Sequence, residues 1–162
     1  MIYRLFELFH VDFEPHHRHP LNRAVVAATV VSVVGSLLVD AAIVAVGLAI
    51  WPGLRGYPHF RFGDYATLTI IGVLIACAAW PVTSRITSKP RWLFLRMAVM
   101  VTLVLYLPDL YLLHLGDPVR AVLVLMSMHL AIAVVTYNAL VHLAPVRTSR
   151  SIERLARLRV PD

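Results

Sequence analysis

The sequence predicts an all-α integral membrane fold: four antiparallel transmembrane helices with amphipathic interfacial flanks. Three observations lead there. Of the 162 residues, 59% are hydrophobic and only 15% charged, whereas soluble domains run near 45–50% and 25%. Four apolar runs each reach the ~20 residues that cross ~30 Å of hydrocarbon. The basic residues gather beside those runs or near their ends. Mean hydropathy is +0.75. A formal charge of +6 would suggest nucleic acid in a soluble protein; here basic side chains flanking apolar spans suit anionic headgroups, and no nucleic-acid partner is expected.

Residues 1–23 form the first flank. Ile2, Leu5, Phe6, Phe9 and Phe13 recur near helical spacing while Arg4, Glu7 and Glu14 fall elsewhere on the wheel, so this segment can lie in the headgroup plane. The transmembrane domain, 24–145, opens with a run over 24–51 broken only by small residues and Asp40. That is far longer than a signal-peptide core of about 7–15 residues, and no small-residue cleavage site follows, so an uncleaved helix is expected. Pro52, Gly53, Gly56 and Pro58 punctuate the first connection, and Trp51, Tyr57, Phe60, Phe62 and Tyr65 suit an aromatic belt. The second span covers 65–83, the third 92–114 and the fourth 119–144. Ser88 and Pro90 mark one break; Gly116, Asp117 and Pro118 mark the next. Connections this short make neighbours antiparallel. The tail, 146–162, alternates Ile152, Leu155, Ala156 and Leu158 with Arg150, Arg154, Arg157 and Arg159, a basic amphipathic pattern for a lipid surface.

Orientation follows from lysine and arginine near the span ends. One side carries Arg4, Arg18, Arg23, Arg85, Lys89, Arg91, Arg147, Arg150, Arg154, Arg157 and Arg159; the other carries Arg55, Arg61 and Arg120. Eleven against three predicts a multi-pass protein with both termini cytoplasmic. Arg96 lies near the start of the third span and can snorkel to the richer side.

Ionisable groups at membrane depth cost about 2.5–3.5 kcal/mol on insertion scales and are functional candidates by default. The candidates are Asp40, Asp109 and His129, supported by Ser36, Tyr106 and Asn138. Asp40 lies eleven residues before Trp51 and His129 eleven after Pro118, each ~16 Å from the same boundary; an Asp40–His129 pair is expected on that ground. Thr29, Ser32, Ser36, Asp40 and Gly47 share a narrow sector at 100° per residue, a seam for close helix approach. Its bland reading is packing around one neutral acid. Asp109 follows Pro108, which frees the Val104 carbonyl; with Thr102 and Tyr106 on its face it suits a cation, proton or ligand site, or simply an acid touching headgroup water. The fourth span places His129 and Thr136 on one side and Ser127, Asn138 and His142 on the other, as a helix with neighbours on two sides would.

No metal or cofactor is expected. His10, Asp12, Glu14, His16, His17 and His19 cluster before the first span, but no spacing matches a closed site, and Pro15 and Pro20 point to an irregular, pH-sensitive linker. The Met126-Ser127-Met128-His129 run reads as core packing. A bis-histidine haem needs two imidazoles at matching depth, and only His129 lies deep. The lone Cys77 excludes an intramolecular disulfide. There is no P-loop, H-E-x-x-H, G-x-S-x-G or C-x-x-C, so an enzyme is not expected.

The third and fourth spans also carry Lys89-Pro90-Arg91 in a basic loop, Leu107-Pro108-Asp109 near the end of one helix and Met128-His129-Leu130 followed by small and β-branched residues. Over 65–145 the chain resembles a family of small four-helix membrane proteins of unknown function, found mainly in actinobacteria. The resemblance implies a four-span fold and an actinobacterial plasma membrane, but no activity and no functional residues; the amphipathic N-terminal flank is not part of it. Three functions compete. The first is a non-catalytic accessory or scaffold protein that binds partner helices or lipids, with a membrane-protein partner or a homo-oligomer. The second is a small oligomeric proton- or cation-coupled transporter using Asp40, Asp109 and His129. The third, resting on little beyond the same residues, is a membrane-embedded enzyme.

Overall fold

The computed structural model describes residues 17–18, 20–87 and 89–148. The amphipathic flank, most of the histidine cluster and the arginine-rich tail lie outside the described residues. Four helices follow one another: α1 (Asn22–Ile50), α2 (Phe62–Ile86), α3 (Pro90–His114) and α4 (Val119–Leu143), each long and apolar enough to cross a bilayer. All four match the expected spans to within three residues at either end. Between α1 and α2 stand two short 3₁₀ turns, Pro52–Leu54 and Pro58–Phe60, each opened by a proline whose missing N–H costs nothing at a first position.

Helix ends follow local chemistry. The Trp51 N–H closes the last turn of α1 on the Gly47 carbonyl, and Pro52 stops it. Pro90 opens α3. At the far end of α3, Gly116 N–H bonds Leu113 O and Asp117 N–H bonds Leu112 O, both at 3.1 Å. This Schellman closure needs a left-handed residue, and Gly116 supplies φ +95°. Pro81 and Pro108 lie inside α2 and α3, which run on through them. Near Pro81, Thr83 Oγ1 donates to Ala79 O and Ser84 Oγ to Pro81 O, local bonds of the kind that accommodate proline in membrane helices.

The helices form a ring in chain order, with α4 touching all three others and packing most widely on α1. An antiparallel bridge, His17–Arg18 with Arg147–Thr148, ties the segments entering α1 and leaving α4. Exposure is inverted relative to a water-soluble bundle. Leu38, Val46, Leu68, Ile75, Leu103, Leu107, Leu130 and Val134 face outward, while Ser32, Ser36, Asp40, Thr69, Thr102, Asp109 and Thr136 are buried. Apolar surface outside and hydrogen-bonding groups inside suit hydrocarbon as solvent. The protein is a four-helix integral membrane protein.

Two apolar clusters bracket that polar interior. Toward the termini, Ala28, Val73, Cys77, Trp80, Phe94, Leu140, Val141 and Ala144 pack together. Trp80 is fully buried, donates its indole N–H to Ala144 O at 2.9 Å and meets Phe94 edge to face. Toward the first and third connections, Val44, Tyr65, Ala66, Val124, Leu125 and Met128 form the second cluster. Met128 thus serves packing, as its sequence context predicts.

Candidate functional site in the bundle interior

Each helix contributes to the polar layer through one face. On α1, Ala28, Ser32, Ser36, Asp40, Val44 and Gly47 are the buried residues, spaced almost entirely by four, so they line one ridge. Small side chains let α4 come close: a Cβ on Gly35 would stand 3.1 Å from Val135, and one on Gly47 2.8 Å from Val124. These two contacts fix the antiparallel register. Thr136 then lies beside the Gly35–Ser36 turn, and His129 lies near the level of Asp40.

Asp40 is fully buried and accepts a hydrogen bond from Thr69 Oγ1 of α2 at 2.7 Å on its Oδ2. Its Oδ1 has no partner among the described residues; nor do Ser32 Oγ, Ser36 Oγ and Thr136 Oγ1. Thr69 was not picked out from the sequence. Its signal was the α2 stripe of Tyr65, Thr69, Val73, Cys77 and Trp80, whose one polar member has to meet something.

The second acid does not sit in headgroup water. Asp109 is 5% exposed, and its Oδ2 lies 2.9 Å from His129 Nδ1. The imidazole side chain is 27% exposed against 7% for the carboxylate. The Asp40–His129 interaction, expected directly or through one water, is not a direct hydrogen bond: Asp40 bonds Thr69 and His129 bonds Asp109. His129 remains close enough to Asp40 for their charges to interact.

The supporting residues divide. Ser36 joins the interior seam, and Tyr106 is half-buried beside the Asp109 face. Asn138 does not join: it is exposed on the outside of α4, where its amide N–H₂ donates to Val134 O at 2.8 Å. Ser127, also exposed, bonds Leu123 O. Thr102 is buried but donates to Ala98 O in its own helix. Among the described residues no group of three or more His, Cys, Asp or Glu could hold a metal.

A contact between the first and third connections extends the layer to the surface. Tyr57 Oη donates to Asp117 Oδ2 at 3.0 Å. Burial pushes the Tyr57 phenol up to about 12; the Asp117 bond, its charge and the charge of Asp109 add to the rise. Tyr57 thus lies within electrostatic reach of the interior pair. Taken together, the interior gathers carboxylates, hydroxyls and one imidazole, with oxygens from all four helices.

The chain belongs to the family of unknown function DUF6069, which it matches over residues 16–145. No curated protein and no solved structure matches it significantly.

Proposed function

We propose that this membrane protein is a non-catalytic accessory or scaffold protein of the plasma membrane, with cytoplasmic termini, docking a partner helix on the outward face of α4. The observation that carries this reading is Asn138. Its amide N–H₂ is tied to its own helix, yet its side-chain carbonyl lies on a face open to lipid, which offers no donor. Ser127 shares that face, since eleven residues advance the wheel by only about 20°. A neighbouring helix satisfies such groups and lipid does not, a contribution of roughly 0.6 kcal/mol per bond on average and up to about 2. Beside Ser127 a groove of about 490 Å³ runs between α1 and α4, floored by Ala42, Val46, Gly47 and Val124. It offers room for a partner's side chains. The basic residues at the terminal side would meanwhile meet anionic headgroups.

The test is co-purification of the native protein in mild detergent. A stoichiometric membrane partner, or a second copy, should accompany it and dissociate on the double substitution Asn138→Leu with Ser127→Leu. A wild-type protein that elutes as a lone monomer would exclude the docking role. The second reading, a small oligomeric proton- or cation-coupled transporter, draws its support from the buried Asp109–His129 pair; uptake of protons or sodium into vesicles tests it.

A further inference from the structure

The interior holds a file of polar groups with a direction. Asp40 has an oxygen with neither a donor nor solvent: Oδ1 is unpartnered in a residue of 0% exposure. An ionised carboxylate with one hydrogen bond is costly there, and protonation removes the buried charge. Other unpartnered polar groups lie along the same interior. Ser36 stands one turn away on the same ridge, about 6 Å along the axis, and Thr136 faces Ser36 across the α1–α4 register. From Asp40 toward the connections the file continues through His129, Asp109, Tyr57 and Asp117, each charge-coupled or hydrogen-bonded to the next. Toward the termini it ends differently. The fully buried Trp80, Leu140 and Ala28 close that end with apolar surface.

We infer that Asp40 is a proton-binding site reached from the side of the first and third connections through His129 and Asp109, and closed toward the termini by the Trp80–Leu140 cluster. This deepens the proton-coupled reading and rests on it. The transfer balances without any further reactant. The Oδ1–H bond of Asp40 breaks as His129 Nε2 takes the proton through intervening water; the Nδ1–H bond breaks as Asp109 Oδ2 takes the second proton. The imidazole is left as the Nε2–H tautomer, and Asp109 releases its proton beside Tyr57 and Asp117. A ring flip or the reverse transfer resets the tautomer. The titratable groups facing Asp40 and the pair are Tyr65 from α2, Asp109 from α3, His129 from α4 and Tyr57 from the first connection. None of them is a lysine or arginine that would hold the acid ionised.

The experiment is infrared difference spectroscopy of the full chain in phosphatidylethanolamine–phosphatidylglycerol bilayers, following the carbonyl band of a protonated carboxylic acid on transfer to heavy water. Wild-type protein should show a band that vanishes in Asp40→Asn and moves in Asp40→Glu. Its deuterium shift should slow at least tenfold in His129→Gln. Should Asp40→Asn not fold, the displaced band of Asp40→Glu makes the same assignment. Absence of a protonated Asp40 band overturns the site, and an unchanged exchange rate in His129→Gln overturns the route. Vesicle uptake separates the two levels. Sodium uptake without an Asp40 band would leave a cation transporter and remove the proton site, whereas a band without any uptake would leave a proton site and remove transport.

Discussion

His129 turns to Asp109 although Asp40 matches it in residue count from the same end of the bundle. The reason lies in the side-chain bond itself. In a helix Cα–Cβ vectors tilt toward the N-terminus. Asp109, five residues before the end of α3, therefore leans away from the connections, while His129, ten residues into α4, leans toward them. The two converge across an axial offset of about 7 Å. Asp40 leans the same way as Asp109, so at equal backbone depth it and His129 diverge, and its carboxylate finds Thr69 instead. A double-mutant cycle on Asp109→Asn and His129→Gln, read from thermal stability in detergent, should show coupling of about 0.5 kcal/mol or more; Asp40→Asn with His129→Gln should stay below that. Thr69→Val removes the one donor Asp40 has and should cost about 1–3 kcal/mol. At the surface, Tyr57 titrates near 12 when folded against an ordinary 10.0. The folded state holds that proton more tightly, so its stabilising contribution is complete below pH 10 and is lost as pH rises from 10 through about 12. The thermal midpoint of wild type should fall across that window, and Tyr57→Phe should flatten that part of the decline.

Helices were the legible level of this sequence, because hydropathy over some twenty residues reports on lipid directly. The Ser32–Ser36–Asp40 ridge was legible too, since periodicity of four is a local property of α1. What periodicity does not carry is which ridge faces which groove. Asn138 shows the cost: its position opposite His129 on the wheel says two-sided, but only the packed bundle says that its side is the outer one. Thr69 and the Tyr57–Asp117 contact escaped for the same reason, each joining elements distant in sequence. Helix α1 also makes a close approach to α4 that can be tested. An added Cβ at Gly47 would stand 2.8 Å from Val124 Cγ2, and a β-branched valine has little freedom to withdraw. Gly47→Ala should destabilise the bundle by about 1–3 kcal/mol despite its better helix propensity, whereas Gly72→Ala on α2, with open space around it, should be neutral or slightly stabilising. A rise in thermal midpoint for Gly47→Ala would mean that α1 and α4 do not pack at this register.

For the whole molecule the remaining question is direction, and charge is the ground for the proposed one. The four helices and their bridge put His17–Arg18 and Arg147–Thr148 on one side, whichever side that is. On that side stand eleven lysines and arginines near span ends, against Arg55, Arg61 and Arg120 on the other. Arg96 adds to the larger group: its guanidinium stacks 3.6 Å over the Trp92 ring, an arrangement for an arginine held at the interface near the start of α3. Translocating a basic segment works against the membrane potential by about 2.3 kcal/mol per charge per 100 mV, which is the physical basis for proposing that the richer side is cytoplasmic. In that proposed orientation the polar file opens, through Tyr57 and Asp117, on the non-cytoplasmic face, and the Trp80 cluster closes the cytoplasmic end. Alkaline phosphatase fused after Gly56 should accordingly be active, and fusions after Ser88 or Arg159 inactive. Activity at Arg159 would invert the protein in the membrane, and with it the side from which Asp40 takes its proton, while leaving the pairing of Asp109 with His129 untouched.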